Sequence, residues 1–531
     1  VTEPTPPAAG VPDEPAGYPG RLGHVVAVLA VGAFLLYARS VPLGNSELWA
    51  ELSSGRAGST EPGWLGDAVL YRAYALGADA VGGPPVSRLE GGVAALGLLG
   101  WLLTLALALA ALAVYRLRGG SIGLAAAALV LLVPVVPLLV GTVETKLLGR
   151  VSFLALLGLL TPARPGWSAA LLVPAGLVAW ANLDGWFPVG VVLVGVVAVG
   201  RWIDDGVRAA APLLAGLVLG VAALAVATPA GPGLFADLAA TWRHPGLERF
   251  APWQPMNFSD WRPVHVAFLA SLAVLTVAPF AGGRPFRAAE LAPLFGFAVA
   301  ALVVQGVADF WFLLVPWLAL PALRALAEQR EWESEPAPAW AGLAGVLAVL
   351  FLLTLPVGWL LRGSTPAAQA LRPDVPWAAA LALRADEKPP LLPKLKRQLS
   401  FGHYPDGRFV GTILAGEYAS DAIAFLLDDG PSQEQAVFLT SRLHRHPPER
   451  YADHQAMRAP RFDGWELLDR HGVNLVVLSP AEDRGLLADL AADRAAWELV
   501  PGTPNWSGEA ASAPVVLAIR KRPVGAAAAA K

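Results

Sequence analysis

Between Leu22 and Leu361 the chain is a succession of apolar runs separated by short charged segments. That pattern limits the possible folds more than anything else in the sequence. A bilayer's hydrocarbon core, about 30 Å thick, takes roughly 20 apolar residues per helix. Backbone polar groups in lipid must be satisfied within the segment or by a closed barrel, so runs of this length fold as spanning helices. Of 531 residues, 55% are hydrophobic and 15% are charged, against about 25% charged in a soluble domain. The reading gives about eleven spans. They lie near Leu22–Ala38, Gly92–Tyr115, Ser121–Gly141, Val151–Leu160, Trp167–Ala181, Phe187–Ile203, Ala210–Ala227, Val264–Ala281, Ala289–Val307, Phe310–Leu323 and Trp340–Leu361. The Val151 run is short and draws on Leu147 and Leu148. The Ala289 and Phe310 runs are parted only by Ala308 and Asp309, which also fits a re-entrant pair.

Charge is sorted between alternate loops. With the N-terminus inside, the inner segments hold Arg21, Arg116 and Arg118, Arg164, Arg201 and Arg208, Arg284 and Arg287, then Arg324 and Arg330. The outer ones hold Glu47, Glu51 and Asp67, Glu144, Asp184, Asp237, Glu248 and Asp260, then Asp309. Short cytoplasmic loops carry an excess of Lys and Arg. The chain is therefore expected to cross a membrane many times, with the N-terminus on the cytoplasmic side and the C-terminal part outside.

Three regions follow: a Pro- and Ala-rich disordered tail at 1–20, an all-α membrane domain at 21–362, and a small α/β domain at 363–531, where the composition turns polar. In the last, Val437–Thr440, Leu475–Leu478 and Val515–Ile519 read as buried strands, and Asp421–Leu427 and Gly464–His471 as helices. A net charge of −3 suggests no nucleic-acid partner. With no cysteine, disulfides, thiolate metal sites and a Cys nucleophile are excluded. No Walker loop, GxGxxG, GxSxG or HExxH occurs.

The segment after the first run reads GNSELWAELSSGR and then EPGWLGDAVLYRAYALG. Glu47 and Glu51, one helical turn apart, share a face. Trp49, Leu52, Trp64, Leu65, Val69, Leu70 and Tyr74 give two amphipathic helices expected to lie at the membrane interface. Here the chain resembles bacterial integral-membrane proteins of the GT-C glycosyltransferase-like type. The resemblance rests on Glu47-Leu48-Trp49, Leu52 and Gly55, then Trp64-Leu65, Asp67 and Leu70-Tyr71. Later pieces extend it: Trp180-Ala181-Asn182-Leu183-Asp184-Gly185, Trp253-Gln254-Pro255 with Phe258, Thr440-Ser441-Arg442 with Tyr451, and Gly472-Val473-Asn474-Leu475-Val476. It implies a bacterial cytoplasmic membrane as location, a polyprenyl-phosphate sugar as donor, a glycan, lipid or protein acceptor, membrane lipids and membrane-protein partners around it, and Glu47 as the general base. Glu51, Asp184 and Pro62-Gly63 stand where that family often has His, His and a His-Glu pair.

Glu47, Glu51 and Asp184 are the catalytic candidates, since a hydroxyl attacking an anomeric carbon gives its proton to a nearby carboxylate. Lys146, Arg150, Arg243 and Arg249 are candidates for the donor phosphate. Glu144 with Lys146 reads equally as an ion pair with snorkelling ends. Asp67, Asn182, Trp253, Gln254 and Arg442 are candidates for substrate contact. Asp184 also reads as a helix-end cap, and Asp309 as a buried turn. The HxH of His444 and His446 lacks a third ligand at metal spacing, and dependence on a divalent metal stays open. Besides a transferase, the sequence allows a non-catalytic scaffold or complex subunit of the same fold. A transporter ranks last, because the spans carry no mid-membrane charges.

Overall fold

The structure, a computed structural model, describes residues 18–40, 42–44, 47–162, 166–247, 250–330, 370–383, 412–427, 437–442, 445–459, 465–501 and 515–521. The expected span at Trp340–Leu361, the tail before Tyr18, the 362/363 boundary, Glu248, Arg249 and His444 lie outside them.

A bundle of apolar helices forms one end of the molecule. It comprises α1 (Tyr18–Ser40), α4 (Pro85–Gly119), α5 (Ile122–Val130), α6 (Val136–Val140), α7 (Lys146–Leu160), α8 (Ala169–Leu183), α9 (Phe187–Asp205), α10 (Val207–Ala227), α12 (Pro263–Gly282), α13 (Ala288–Val303) and α14 (Ala308–Gln329). Proline at the first turn starts α4, and Gly120, at φ 84°, ends it. Pro134 and Pro137 divide the expected Ser121–Gly141 span into α5, a 3-10 turn and α6. Among the described residues, six helical segments are long and apolar enough to cross a membrane: Pro85–Gly119, Ile122–Val140, Phe187–Asp205, Val207–Ala227, Pro263–Gly282 and Gln305–Gln329. Gly23–Ala38, Ala169–Leu183 and Ala288–Val303 are shorter apolar helices.

The central helix is α14, whose residues 310–320 are all buried. Its indoles find acceptors, as buried N–H groups must: Trp311 donates to Ser271 Oγ at 2.7 Å and Trp317 to Thr161 Oγ1 at 3.0 Å. It starts beside Lys146 and ends where Arg324 lies by Gly120 and Gln329 donates to the Gly282 carbonyl. The Ala289 and Phe310 runs are thus separate helices joined by a 3-10 turn at Gln305–Val307.

The Arg-bearing loops gather at one end of this bundle. Arg118 and Arg284 both donate to the buried Glu290 carboxylate, at 2.6 and 3.0 Å. Arg201 holds the carbonyls of Leu160 and Pro162, and Asp204 accepts from the first N–H groups of α13. The opposite end carries the acids.

At that acidic end stand α2 (Leu48–Ala57), α3 (Trp64–Val81) and α11 (Gly233–Arg243). Of the apolar residues expected to make α2 and α3 interfacial, Trp49, Leu52 and Leu70 are buried in protein, whereas Leu65 and Val69 of α3 stay exposed. The three buried ones share one core with α4 and a mixed α/β unit. That unit contains α15 (Trp377–Leu383), α16 (Glu417–Leu427), α17 (Pro448–Arg458), α18 (Trp465–Arg470) and α19 (Arg484–Ala492). Its sheet orders β1 (Thr412–Leu414), β2 (Val473–Leu478), β4 (Val516–Arg520) and β3 (Trp497–Pro501), parallel only between β1 and β2. Leu475, Val477, Leu517 and Ile519 face the bundle side, and Val476, Leu478, Val516 and Ala518 face the other, the period-two alternation of a sheet covered on both sides. The Val437 run contributes only an isolated bridge to Ile413. Phe425 of α16 wedges against Trp49 and Tyr74 at 5.8 and 5.1 Å, and Arg56 donates to its carbonyl. Burying each of these large apolar side chains contributes roughly 1.5–3 kcal/mol.

Candidate active site

A cavity of about 690 Å³ opens where α2, α3, α9, α11, α13 and the mixed unit meet. Its polar end is built by Glu47, Glu51, Glu61, Asp67, Asp184 and Arg442, and its apolar wall by Val189, Val192, Phe297, Val299, Ala300 and Val303. The wall is a wedge. Gly200 presses on the backbone of Ala288 and Ala289, Gly296 meets Val196, and beyond that contact α9 and α13 leave room between them. Val192, Val299 and Val303 are about half exposed, so the wedge is continuous with the apolar outer surface of the bundle.

Glu47 caps the start of α2 and lines the cavity. Among the described residues, no hydrogen bond reaches its carboxylate. Burial, then the neighbouring Glu144, pushes its pKa up to about 7 against the pull of Arg442 and Lys146. Glu51 is held instead. It accepts from Thr145 Oγ1 at 2.6 Å and from Thr145 N at 3.1 Å, and burial with Asp67 nearby raises its pKa well above the usual range. Asp184 follows the last turn of α8, where Trp180 Nε1 donates to it at 3.1 Å and Thr145 Oγ1 lies 3.5 Å away. Burial raises its pKa too. Gly149 of α7 makes room for this carboxylate, since a Cβ there would collide with Asp184 Oδ2. Thr145 therefore ties two acids from separate elements together. Sequence reasoning passed over it because a lone Thr carries no motif.

Asp67, on α3, is bonded by Arg442 at 3.2 Å, and its pKa is pushed up to about 7 by burial. Arg442 also donates to Glu61 at 3.0 Å, joined there by Arg445 at 2.9 Å. These carboxylates hold the Arg442 pKa above its ordinary value despite burial. Of the residues proposed from sequence, Glu47, Glu51, Asp67, Asp184, Trp253 and Arg442 line one cavity.

The others do not. Lys146 and Arg150 both bind Asp309, each at 2.7 Å, and Arg150 also holds the Leu139 carbonyl. Neither lines the cavity. The expected Glu144–Lys146 pair gives way to Lys146–Asp309, because α14 brings a buried acid to the start of α7. Asn182 is a bracket between helices: it accepts from Trp64 Nε1 and donates to the Val178 carbonyl. Gln254 bonds backbone to backbone with Gln305, and Arg243 is exposed at the end of α11. Trp253 stacks on Trp186 at 4.8 Å, with Trp242 edge-on at 6.3 Å and Lys146 over the Trp186 ring. His446 Nε2 is engaged by Thr440. No three His, Asp or Glu side chains among the described residues form a metal-holding group.

The fold is oligosaccharyltransferase-like. The solved Archaeoglobus fulgidus oligosaccharyltransferase, tethered with an acceptor peptide containing the NVT sequon, superposes with a TM-score of 0.50 at 12% identity, over 88% of this chain and 72% of that one. Its apo form gives a TM-score of 0.48 at 11% identity, over 86% and 69%. No protein-family profile and no curated protein matches the sequence. The likeness is one of fold, and it agrees with the GT-C resemblance read from the sequence.

Proposed function

We propose that the chain is a GT-C-type membrane glycosyltransferase. It would move a hexose or pentose from a polyprenyl-phosphate donor to an acceptor at the outer face of the cytoplasmic membrane. The observation that carries this reading is the position of Glu47, a carboxylate without a hydrogen-bond partner among the described residues, at the polar end of an apolar wedge. A polyprenyl chain fits the wedge, whose walls are continuous with surface that faces lipid. Its head would then meet the acids. The acceptor hydroxyl attacks the anomeric carbon, the bond from that carbon to the phosphate oxygen breaks, and the phosphate leaves with the electron pair. The hydroxyl proton passes to Glu47. Attack opposite the leaving group inverts the anomeric centre.

Replacing Glu47 by Gln removes the base and keeps the shape. Transfer from a radiolabelled polyprenyl-phosphate sugar, assayed in nanodiscs, is expected to fall by roughly 10²- to 10⁴-fold. Undiminished transfer would remove Glu47 from the role. One observation favours a second reading, a non-catalytic scaffold. Glu51 and Asp184 are tied to Thr145, and the cations proposed for the donor phosphate, Lys146 and Arg150, are tied to Asp309. Absence of transfer by the unaltered protein with hexose and pentose donors alike would favour that scaffold.

A further inference from the structure

The cavity has an imbalance that the mechanism leaves unused. Glu47, Glu51, Glu61, Asp67, Asp184 and Asp237 line it, and Arg442 is the only Lys or Arg among the described residues that does so. This cation comes from the mixed α/β unit and not from the helices and loops that supply the acids. Its segment is fixed from several sides. Asp421 of α16 accepts from Ser441 N at 3.1 Å, His446 engages Thr440, and Arg442 spans Glu61 and Asp67 while Arg445 adds to Glu61. An ion pair exposed to water at an interface holds little. Arg442 is mostly covered and Asp67 almost wholly so, with side-chain exposures of 21% and 3%, so here the pairing is screened little by solvent.

We propose that Arg442 is a positioning residue for Glu47. By docking on α2 and α3, the mixed unit supplies the cation that keeps the base ionised, and the site is incomplete without it. The groups facing Glu47 are Glu144 before α7, Lys146 on α7, Asp184 after α8, Glu51 on α2, Asp421 on α16 and Arg442. Four are acids, all opposing ionisation. Both cations are paired, Lys146 with Asp309 and Arg442 with Glu61 and Asp67, but only Arg442 lines the cavity with Glu47. The Arg442 charge is therefore the larger support, consistent with its place ahead of Lys146 among the groups that lower the Glu47 pKa. The sign is fixed: without that charge Glu47 takes up its proton at higher pH, and any activity that needs the carboxylate starts at higher pH.

The inference rests on Glu47 as the base, but its test does not need activity. The chain has no cysteine, so Arg442→Cys in the full-length protein creates a single thiol. After folding, that thiol is modified with aminoethyl methanethiosulfonate, which restores a positive charge, or with methyl methanethiosulfonate, which does not. Glu47 is then titrated by its reaction with a hydrophobic carbodiimide, which attacks only the protonated carboxyl, and the adduct is measured by mass spectrometry. The neutral adduct is expected to titrate about one pH unit above the cationic one. Where transfer is measurable, the acid limb of its pH profile moves by the same amount, and Arg442→Lys keeps the profile of the unaltered protein. Coincident titrations of the two adducts would overturn the proposal. Separated titrations in a protein that transfers no sugar would leave it standing and overturn the proposed function instead.

Discussion

Three acids near the cavity, Glu47, Asp67 and Asp421, share a pKa of about 7, and the first cause in each case is burial. Two consequences follow. If Glu47 is the base, transfer rises with pH below about 7 and levels off above it, tracking the ionised fraction. Stability runs the other way. In the unfolded chain these groups release protons near pH 4, about 3.9 for Asp and 4.3 for Glu, whereas the native protein keeps them until about 7. Between those values the native state binds more protons than the unfolded one, so stability falls as pH rises through the window. The melting temperature in detergent is expected to be higher at pH 5 than at pH 8. A flat profile, or one rising with pH, would mean that these acids are solvated and already ionised. The sequence showed that acids concentrate on one side. It did not show which are tied down, because Thr145 with Glu51 and Asp309 with Lys146 are contacts between elements far apart in the chain.

Elements at the acidic end approach one another through glycines. Gly66 of α3 lies against the Leu183 carbonyl that closes α8, Gly77 and Gly91 let α3 and α4 touch, and Gly149 of α7 makes room for Asp184. The last contact can be tested directly. In Gly149→Ala the new Cβ collides with the Asp184 carboxylate and comes within 3.0 Å of Trp180 Nε1, so α7 and α8 must separate or Asp184 must leave its bond to Trp180. Overpacking of this kind costs about 1–3 kcal/mol, read as a lower melting temperature, and transfer should fall with the displaced acid. A variant that melts and transfers like the unaltered protein would show that α7 shifts freely there. Both outer-loop helices were legible in the sequence, since the apolar residues of α2 and α3 recur at helical spacing. Their partner was not. Periodicity identifies a face that must be buried, and Trp49, Leu52 and Leu70 meet that need in a core shared with α4 and the mixed unit as well as they would on lipid. The helix α11 was missed because it is short and buries only Leu234, and β1 because three residues carry no pattern.

At the scale of the whole molecule, the charge sorting of the loops has a structural counterpart. Arg118, Arg201, Arg284 and Arg324 gather at one end of the bundle, and Glu47, Glu51, Asp67, Asp184 and Asp237 at the other, around the cavity. Sequence could reveal this because a membrane forces charges to helix ends, where loop order alone tells the two ends apart. The wedge between α9 and α13 was not readable, since the same valines would suit a closed helix pair. Only the contact of Gly200 with Ala288 and Ala289, and of Gly296 with Val196, shows where the helices touch and hence where they part. If that gap admits the lipid, its width governs the chain of the donor and not its sugar. Val192→Trp and Val299→Trp fill the gap from the half-exposed wall and leave every acid in place. These variants should fold normally, raise the apparent KM for a long-chain polyprenyl donor about tenfold or more, and leave turnover of a short-chain analogue near that of the unaltered protein. Equal loss with both donors would mean that the lipid enters elsewhere and that the wedge is only packing. An unchanged KM for the long-chain donor would mean the same, because an indole in the lipid's path cannot be neutral.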